Sequence, residues 1–182
     1  MKRTLSAAAL SAVALMATAP AGAASCRLAL VLALDVSASV DQDEYVLLRD
    51  GTAAALASAP VRQAIRALGG VHLSVFEWSG RAKQRVIVPW SPLDGDDAIA
   101  AAAGRIAGHP RSTSEYPTAL GAALGYAHTL LAQGPAVCER RVVDIAGDGE
   151  NNHGFGPASA YRAFDFTTIT VNGLVIGTAE DG

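Results

Sequence analysis

Five apolar runs, set between polar turns and helical stretches, give the expected frame of this chain. The longest is Leu28–Leu34, seven consecutive apolar residues that run into Asp35, Ser37 and Ser39. An unbroken apolar run of this length reads as a strand buried on both faces, over residues 28–35. Comparable runs predict strands at Val71–Trp78, Gln84–Trp90, Arg140–Ala146 and Thr168–Ile176. Only a short turn separates the second and third, so those two should pair antiparallel. Pro89 cannot donate to a ladder and places the third at an edge.

Between these runs the pattern becomes helical. Asp41, Asp43 and Glu44 supply acids to the positive end of a helix whose face carries Tyr45, Leu48, Ala55 and Leu56. Gly51 weakens its middle, and Ser58-Ala59-Pro60 ends it. Val61–Leu68 continues as a further helical piece, stopped by Gly69-Gly70. Asp94–Ala107, Thr118–Leu131 and Pro157–Phe164 read as the remaining helices, with a polar, proline-bounded loop at His109–Pro117. Strands alternating with helices predict an α/β fold of three layers, a mostly parallel central sheet flanked by helices.

The length of 182 residues suits one domain, and 51% hydrophobic with 17% charged residues supports a sizeable core without a disorder signature. The first residues read differently. Met1-Lys2-Arg3 is basic, Ala7–Met16 is apolar, and Ala21-Gly22-Ala23 offers small residues for cleavage. This pattern predicts a signal peptide over 1–23 and a mature domain over 24–182, exported to the periplasm or beyond the cell. The apolar stretch is too short to span a bilayer, and no second candidate span follows. Losing Lys2 and Arg3 moves the net charge from −3 to −5, which disfavours nucleic acid as a partner. The two cysteines, Cys26 and Cys138, should pair in an oxidising compartment. A lipid anchor on Cys26 competes with that pairing, because small residues precede it.

The candidate chemistry sits at strand ends. Asp35, Ser37 and Ser39 offer one carboxylate and two hydroxyls at alternate positions, where ligands bind in open α/β sheets. Hard oxygen donors suit Mg²⁺ or Mn²⁺. Gly147-Asp148-Gly149 follows the fourth strand in the same way. Blander roles exist for each: Asp35 as a helix cap, the serines as turn formers, Asp148-Gly149 as an ordinary turn. Glu77 reads equally as a group behind the site or as a surface acid at a strand end. His109 and His153 read as solvated loop residues, and Asn151 and Asn152 as local stabilisers of the loop after Asp148.

Taken together, Asp35-x-Ser37-x-Ser39, Thr118 and Asp148-Gly149 make residues 27–180 resemble the von Willebrand factor A-type (VWA) domain. They are also similar to a secreted bacterial branch known as domain of unknown function 1194. The resemblance implies a Rossmann-like sheet of order 3-2-1-4-5. It also implies a metal-ion-dependent adhesion site (MIDAS) in which Asp35, Ser37, Ser39, Thr118 and Asp148 hold Mg²⁺, with Mn²⁺ or Ca²⁺ as alternatives. The partner implied is a protein whose acidic side chain completes the coordination. Two departures stand out: Gly147 where the family has Thr, and Glu115-Tyr116-Pro117 where it has a Gly-rich approach to the threonine. The family's last strand and helix are not apparent after residue 176, so the chain reads as minimal or truncated. With strands one and four adjacent, Cys26 lies nine residues before Asp35 and Cys138 ten before Asp148, so both cysteines fall at one depth.

The leading expectation is therefore a secreted, non-enzymatic binding module. Gly147-Asp148-Gly149-Glu150-Asn151-Asn152 also looks like a motif of haloacid-dehalogenase-type phosphatases. Those enzymes need a second aspartate two residues after the nucleophile, and this chain has Ser37 there. A serine-hydrolase reading lacks the Gly-x-Ser-x-Gly elbow. A structural domain with a vestigial metal site is the third possibility.

Overall fold

The computed structural model describes residues 26–135 and 137–177. The expected leader at 1–23 lies outside them. Five strands form one sheet in the order β3-β2-β1-β4-β5. They are β1 (Cys26–Asp35), β2 (Val71–Trp78), β3 (Gln84–Pro92), β4 (Cys138–Gly147) and β5 (Ile169–Val175). β1 pairs parallel with β2 and β4, and β4 with β5, while β2 and β3 run antiparallel. The helices are α1 (Gln42–Ala57), α2 (Ala59–Leu68), α3 (Asp96–Ala107), α4 (Leu120–Ala132) and α5 (Pro157–Ala163).

Alternation along β1 divides the core in two. Ala29, Val31 and Ala33 pack on one face with Leu124, Ala127 and Leu131 of α4, joined by Phe76, Val143 and Ile145. Leu34 and its neighbours Leu28, Leu30 and Leu32 face the other way, toward Leu48 and Leu56 of α1 and Ile99 and Ile106 of α3. A parallel sheet covered on both faces needs apolar side chains at successive positions, which is why Leu28–Leu34 carries no alternation. The same alternation continued by one residue turns Asp35 toward the α4 side.

β3 lies at the edge, as Pro89 requires. Val75 pairs with Val88 and Leu73 with Ser91, so Pro89 and Trp90 together oppose Ser74 in a bulge. The Ser74 hydroxyl donates to the Val88 carbonyl at 2.9 Å and closes the irregularity. α1 opens with a reciprocal cap: Asp41 accepts from the Glu44 N–H at 2.8 Å, and Glu44 accepts from the Asp41 N–H at 2.9 Å.

Cys26 sits opposite Cys138 in the ladder and forms a disulfide with it, with Cα atoms 4.5 Å apart. A paired Cys26 is not available as a free thiol for a lipid. Leu34 sits opposite Ala146, so Asp35 and Asp148 leave the same end of adjacent strands. Thr118 does not open α4, which begins at Leu120. β5 closes the other edge, and no helix follows it among the described residues. An open groove of about 500 Å³ lies there, lined by Leu32, Leu47, Leu56, Leu174 and Ile176.

Candidate metal centre

The site begins where β1 ends. The Ser37 N–H donates to Asp35 Oδ1 at 2.8 Å, folding the chain back just past the strand. Asp35 and Ser37 are fully buried, and Thr118 is 1% exposed. The turn brings the Ser37 hydroxyl 3.0 Å from that of Ser39. The Thr118 hydroxyl lies 3.1 Å from both. Ser39 also donates to Asp148 Oδ1 at 2.9 Å. All five residues singled out in the sequence therefore converge at one rim, with Ser39 on its exposed side.

The spacing can be compared with what cations require. A Mg²⁺ ion at about 2.1 Å from its ligands separates neighbouring octahedral oxygens by about 3.0 Å, while Ca²⁺ at about 2.4 Å spreads them to about 3.4 Å. The three hydroxyls form a triangle of 3.0 to 3.1 Å edges, the size of one octahedral face around the smaller ion. The same spacing lets the hydroxyls hydrogen-bond one another. Among the described residues no group of three or more His, Cys, Asp or Glu side chains gathers as a metal site, so a cation at this rim would depend on hydroxyl and carboxylate oxygens.

One atom stands apart. Asp35 Oδ2 is buried and has no hydrogen-bond partner. Gly147 lies beside it: a Cβ there would come within 2.7 Å of that oxygen. The glycine at this position, a departure from the family pattern, leaves room for the carboxylate. Burial pushes the Asp35 carboxyl up to about 6, with Asp148 adding to the rise, while the Ser37 hydroxyl and N–H and the Arg111 guanidinium oppose it. A buried carboxylate oxygen without a partner, on the residue that starts the serine turn, is an arrangement that a cation would satisfy.

Of the supporting groups, Glu77 was one of two readings open from sequence, and Arg111 and Tyr45 were not evident there. Arg111 Nη2 donates to the carbonyls of Val36, Ser37 and Val40 at 3.3, 2.9 and 2.7 Å, pinning the loop that carries both serines. Its guanidinium stacks over Tyr45, 5.3 Å from the ring centre. Tyr45 in turn donates to Glu77 Oε1 at 3.2 Å, and burial followed by Glu77 pushes its hydroxyl up to about 12. Glu77 is 1% exposed and accepts from the Ser112 N–H at 3.0 Å, so it braces the 109–117 loop from beneath and is no surface acid. His109 is half-buried, its Nε2 3.7 Å from Glu77 Oε2, and His153 is also half-buried. Neither matches the solvated role expected of it.

Asn151 and Asn152 act at long range. Asn152 Oδ1 accepts from the Thr118 N–H at 2.9 Å, and Asn151 Oδ1 from the Gly121 N–H at 3.1 Å. The N–H groups of Asn152 and His153 both donate to the Thr118 carbonyl at 3.0 Å. The loop after Asp148 thus holds Thr118 by its backbone and leaves its hydroxyl aimed at the serines. The one hint of this in sequence was the amide pair itself.

The sheet order and the covering helices are those of a VWA-like α/β fold. A family model, described as "Protein of unknown function (DUF1194)", matches residues 25–182, and the chain belongs to that family. No curated protein matches it. Among solved structures it is similar to proximal thread matrix protein 1 from the mussel byssus, with a TM-score of 0.66 and 17% identity over 86% of this chain and 40% of that one. A further structure of that mussel protein, described as having a zinc-occupied MIDAS motif, aligns with a TM-score of 0.65 at 16% identity, again over 86% and 40% of the two chains. A von Willebrand factor type A protein from Catenulispora acidiphila aligns at 0.61, with 18% identity over 84% of this chain and 34% of that one. BatB from Bacteroides thetaiotaomicron aligns at 0.59, with 23% identity over 84% and 68%. At these identities the likeness is one of fold. The chain spans well under half of the mussel and Catenulispora proteins.

Proposed function

We propose that this is an exported, non-catalytic binding module that presents a divalent cation, Mg²⁺ foremost, to an acidic side chain of a partner protein. Asp35, Ser37, Ser39, Thr118 and Asp148 would hold the ion. The observation that carries the reading is Asp35 Oδ2, buried without a partner beside Gly147, on the residue whose other oxygen holds the turn that carries the serine hydroxyls. Two carboxylates with three neutral hydroxyls leave a dication without surplus negative charge, so an incoming carboxylate gains by completing its shell. The cation bridges and does not activate: no side chain at the rim is a carboxylic acid two residues past Asp35, where a phosphatase of the haloacid-dehalogenase type needs its proton donor. Export agrees with the Cys26–Cys138 disulfide, and no helix among the described residues is long and apolar enough to cross a membrane. The zinc recorded in the mussel protein's motif makes Zn²⁺ a necessary comparison.

The test is calorimetric titration of the protein with Mg²⁺, Mn²⁺, Ca²⁺ and Zn²⁺, alongside Asp35→Ala and Asp148→Ala. One site is expected, with Mg²⁺ or Mn²⁺ preferred over Ca²⁺, and both variants should lose at least tenfold in affinity. Binding that survives both substitutions refutes the ligand set. Turnover of an aryl phosphate that disappears in Asp35→Ala refutes the non-catalytic reading.

A further inference from the structure

We infer that the turn after β2 forms a basic ridge beside the candidate metal centre, which selects a partner segment carrying several acidic residues. The inference rests on the proposed cation site for its first contact and adds a second contact of its own. Arg81, Lys83 and Arg85 alternate along the β2–β3 connection, and all three are exposed. None of them forms an ion pair among the described residues, and unlike Arg105, Arg111, Arg140, Arg141 and Arg162, which also have none, they fall together in one short turn. Three cations with no acid between them in five residues make a local positive patch on a chain of net charge −3.

The ridge is tied to the site by its backbone. The Ser79 carbonyl accepts from the Ala119 N–H at 2.9 Å, one residue past Thr118, and the Ser79 N–H donates to the Lys83 carbonyl at 3.1 Å. Gln84 Nε2 donates to the Gly80 carbonyl at 3.0 Å and stiffens the turn. Lys83 Nζ sits 4.2 Å above the Tyr116 ring. The Tyr116 carbonyl accepts from the N–H of Ala38, the residue between Ser37 and Ser39, at 2.8 Å. Arg81 lies against Gly154, where a Cβ would meet its Cγ and Cδ at 2.7 Å, and Gly154 follows the residue whose N–H holds Thr118. Two cations are therefore held within a residue or two of the hydroxyl triangle.

A shallow depression of about 310 Å³ runs along the ridge between Lys83, Arg85, Ser112, Thr113 and Tyr116, with Glu115 as the acid in its lining. Its cations and hydroxyls suit carboxylates. An extended peptide lying along it would bring side chains on one face past the ridge about every 7 Å. A partner offering one carboxylate would use the cation alone. A partner offering several would place one at the cation and the next along Lys83 and Arg81.

Two labelled peptides test this by fluorescence anisotropy in Mg²⁺ at low salt: hexaglutamate, and a Gly/Ser hexapeptide carrying one glutamate. The protein should bind hexaglutamate at least about tenfold more tightly, and the preference should fall steeply with salt. Arg81→Ala/Lys83→Ala should remove the preference while leaving the Mg²⁺ titration unchanged, and Lys83→Arg should keep it. Equal binding of the two peptides, or a preference that survives the double substitution, overturns the ridge. So does a single-stranded DNA decamer binding as tightly as hexaglutamate, which would make the ridge a general polyanion surface. Ridge-dependent preference in a protein that takes up no Mg²⁺ upholds the ridge and refutes the cation reading. Mg²⁺ uptake without preference does the reverse.

Discussion

Replacing Asp35 by asparagine should stabilise the protein in the absence of cations while abolishing its response to them. Burial raises the Asp35 carboxyl from 3.8 to about 6. A rise of about two units corresponds to about 3 kcal/mol. The folded state binds this proton more tightly than the unfolded chain, so stability falls as pH climbs from about 4 to about 6, and the full penalty stands above that window. Asparagine keeps the shape and the oxygen that accepts from the Ser37 N–H at 2.8 Å. Its amide nitrogen replaces Oδ2, which has no partner, and a buried unsatisfied donor costs about 1–3 kcal/mol. The balance favours the variant by up to about 2 kcal/mol at about pH 7.5. Urea unfolding in chelator, followed by Trp fluorescence, measures it. At about pH 4 the wild-type carboxyl is protonated, and the advantage should vanish or reverse. Mg²⁺ at about one hundred times its dissociation constant should add about 2.7 kcal/mol to the wild type and nothing to Asp35→Asn. A variant no more stable than wild type at the higher pH, or an advantage equal at both, refutes the view of Asp35 as a carboxylate held in waiting.

Cys26→Ser/Cys138→Ser opens a loop of 112 residues and should cost about 4–5 kcal/mol, read as a lower urea midpoint with Mg²⁺ affinity retained. Arg111→Ala frees the three carbonyls of the serine loop and should weaken Mg²⁺ binding about tenfold or more by calorimetry; wild-type affinity would exclude a positioning role. Gly147→Ala drives a Cβ to 2.7 Å from Asp35 Oδ2 and should cost about 1–3 kcal/mol while lowering Mg²⁺ affinity. If the Gly147→Ala thermal midpoint and titration both match wild type, the carboxylate does not occupy that space.

The strands were legible because a sheet covered on both faces writes itself as continuous apolar runs. Val71–Trp78 was bounded correctly from its composition, while the sheet order, which matches the observed one, came from the family resemblance. β4 extends further than expected, to Cys138, because the disulfide holds its polar first residues in the ladder. The start of α4 was misread for a local reason. The pattern put Thr118 in the first turn, but Asn152 holds its N–H from outside the helix, and Ala119 adopts a non-helical φ of −113° and ψ of 64°. The helix therefore starts two residues late, and the threonine hydroxyl is left free for the rim.

The same distinction separates the legible from the illegible parts of the site. Asp35, Ser37 and Ser39 sit within five residues, so their joint direction follows from local chain geometry. Arg111 reaches Ser37 across 74 positions and Asn152 reaches Thr118 across 34, and neither pairing leaves a periodic trace. Their chemistry nevertheless follows from what the rim lacks. A third carboxylate there would add to the repulsion that Asp148 already exerts on Asp35, and it would raise the Asp35 carboxyl further. Neutral hydroxyls avoid that cost, but a hydroxyl is a weak ligand unless its oxygen is already in position. Positioning must then come from the backbone, through Arg111 on the serine loop and Asn152 on the threonine. On the proposed reading the two clamps replace ligand charge with ligand placement, so the partner's carboxylate still finds a cation worth binding.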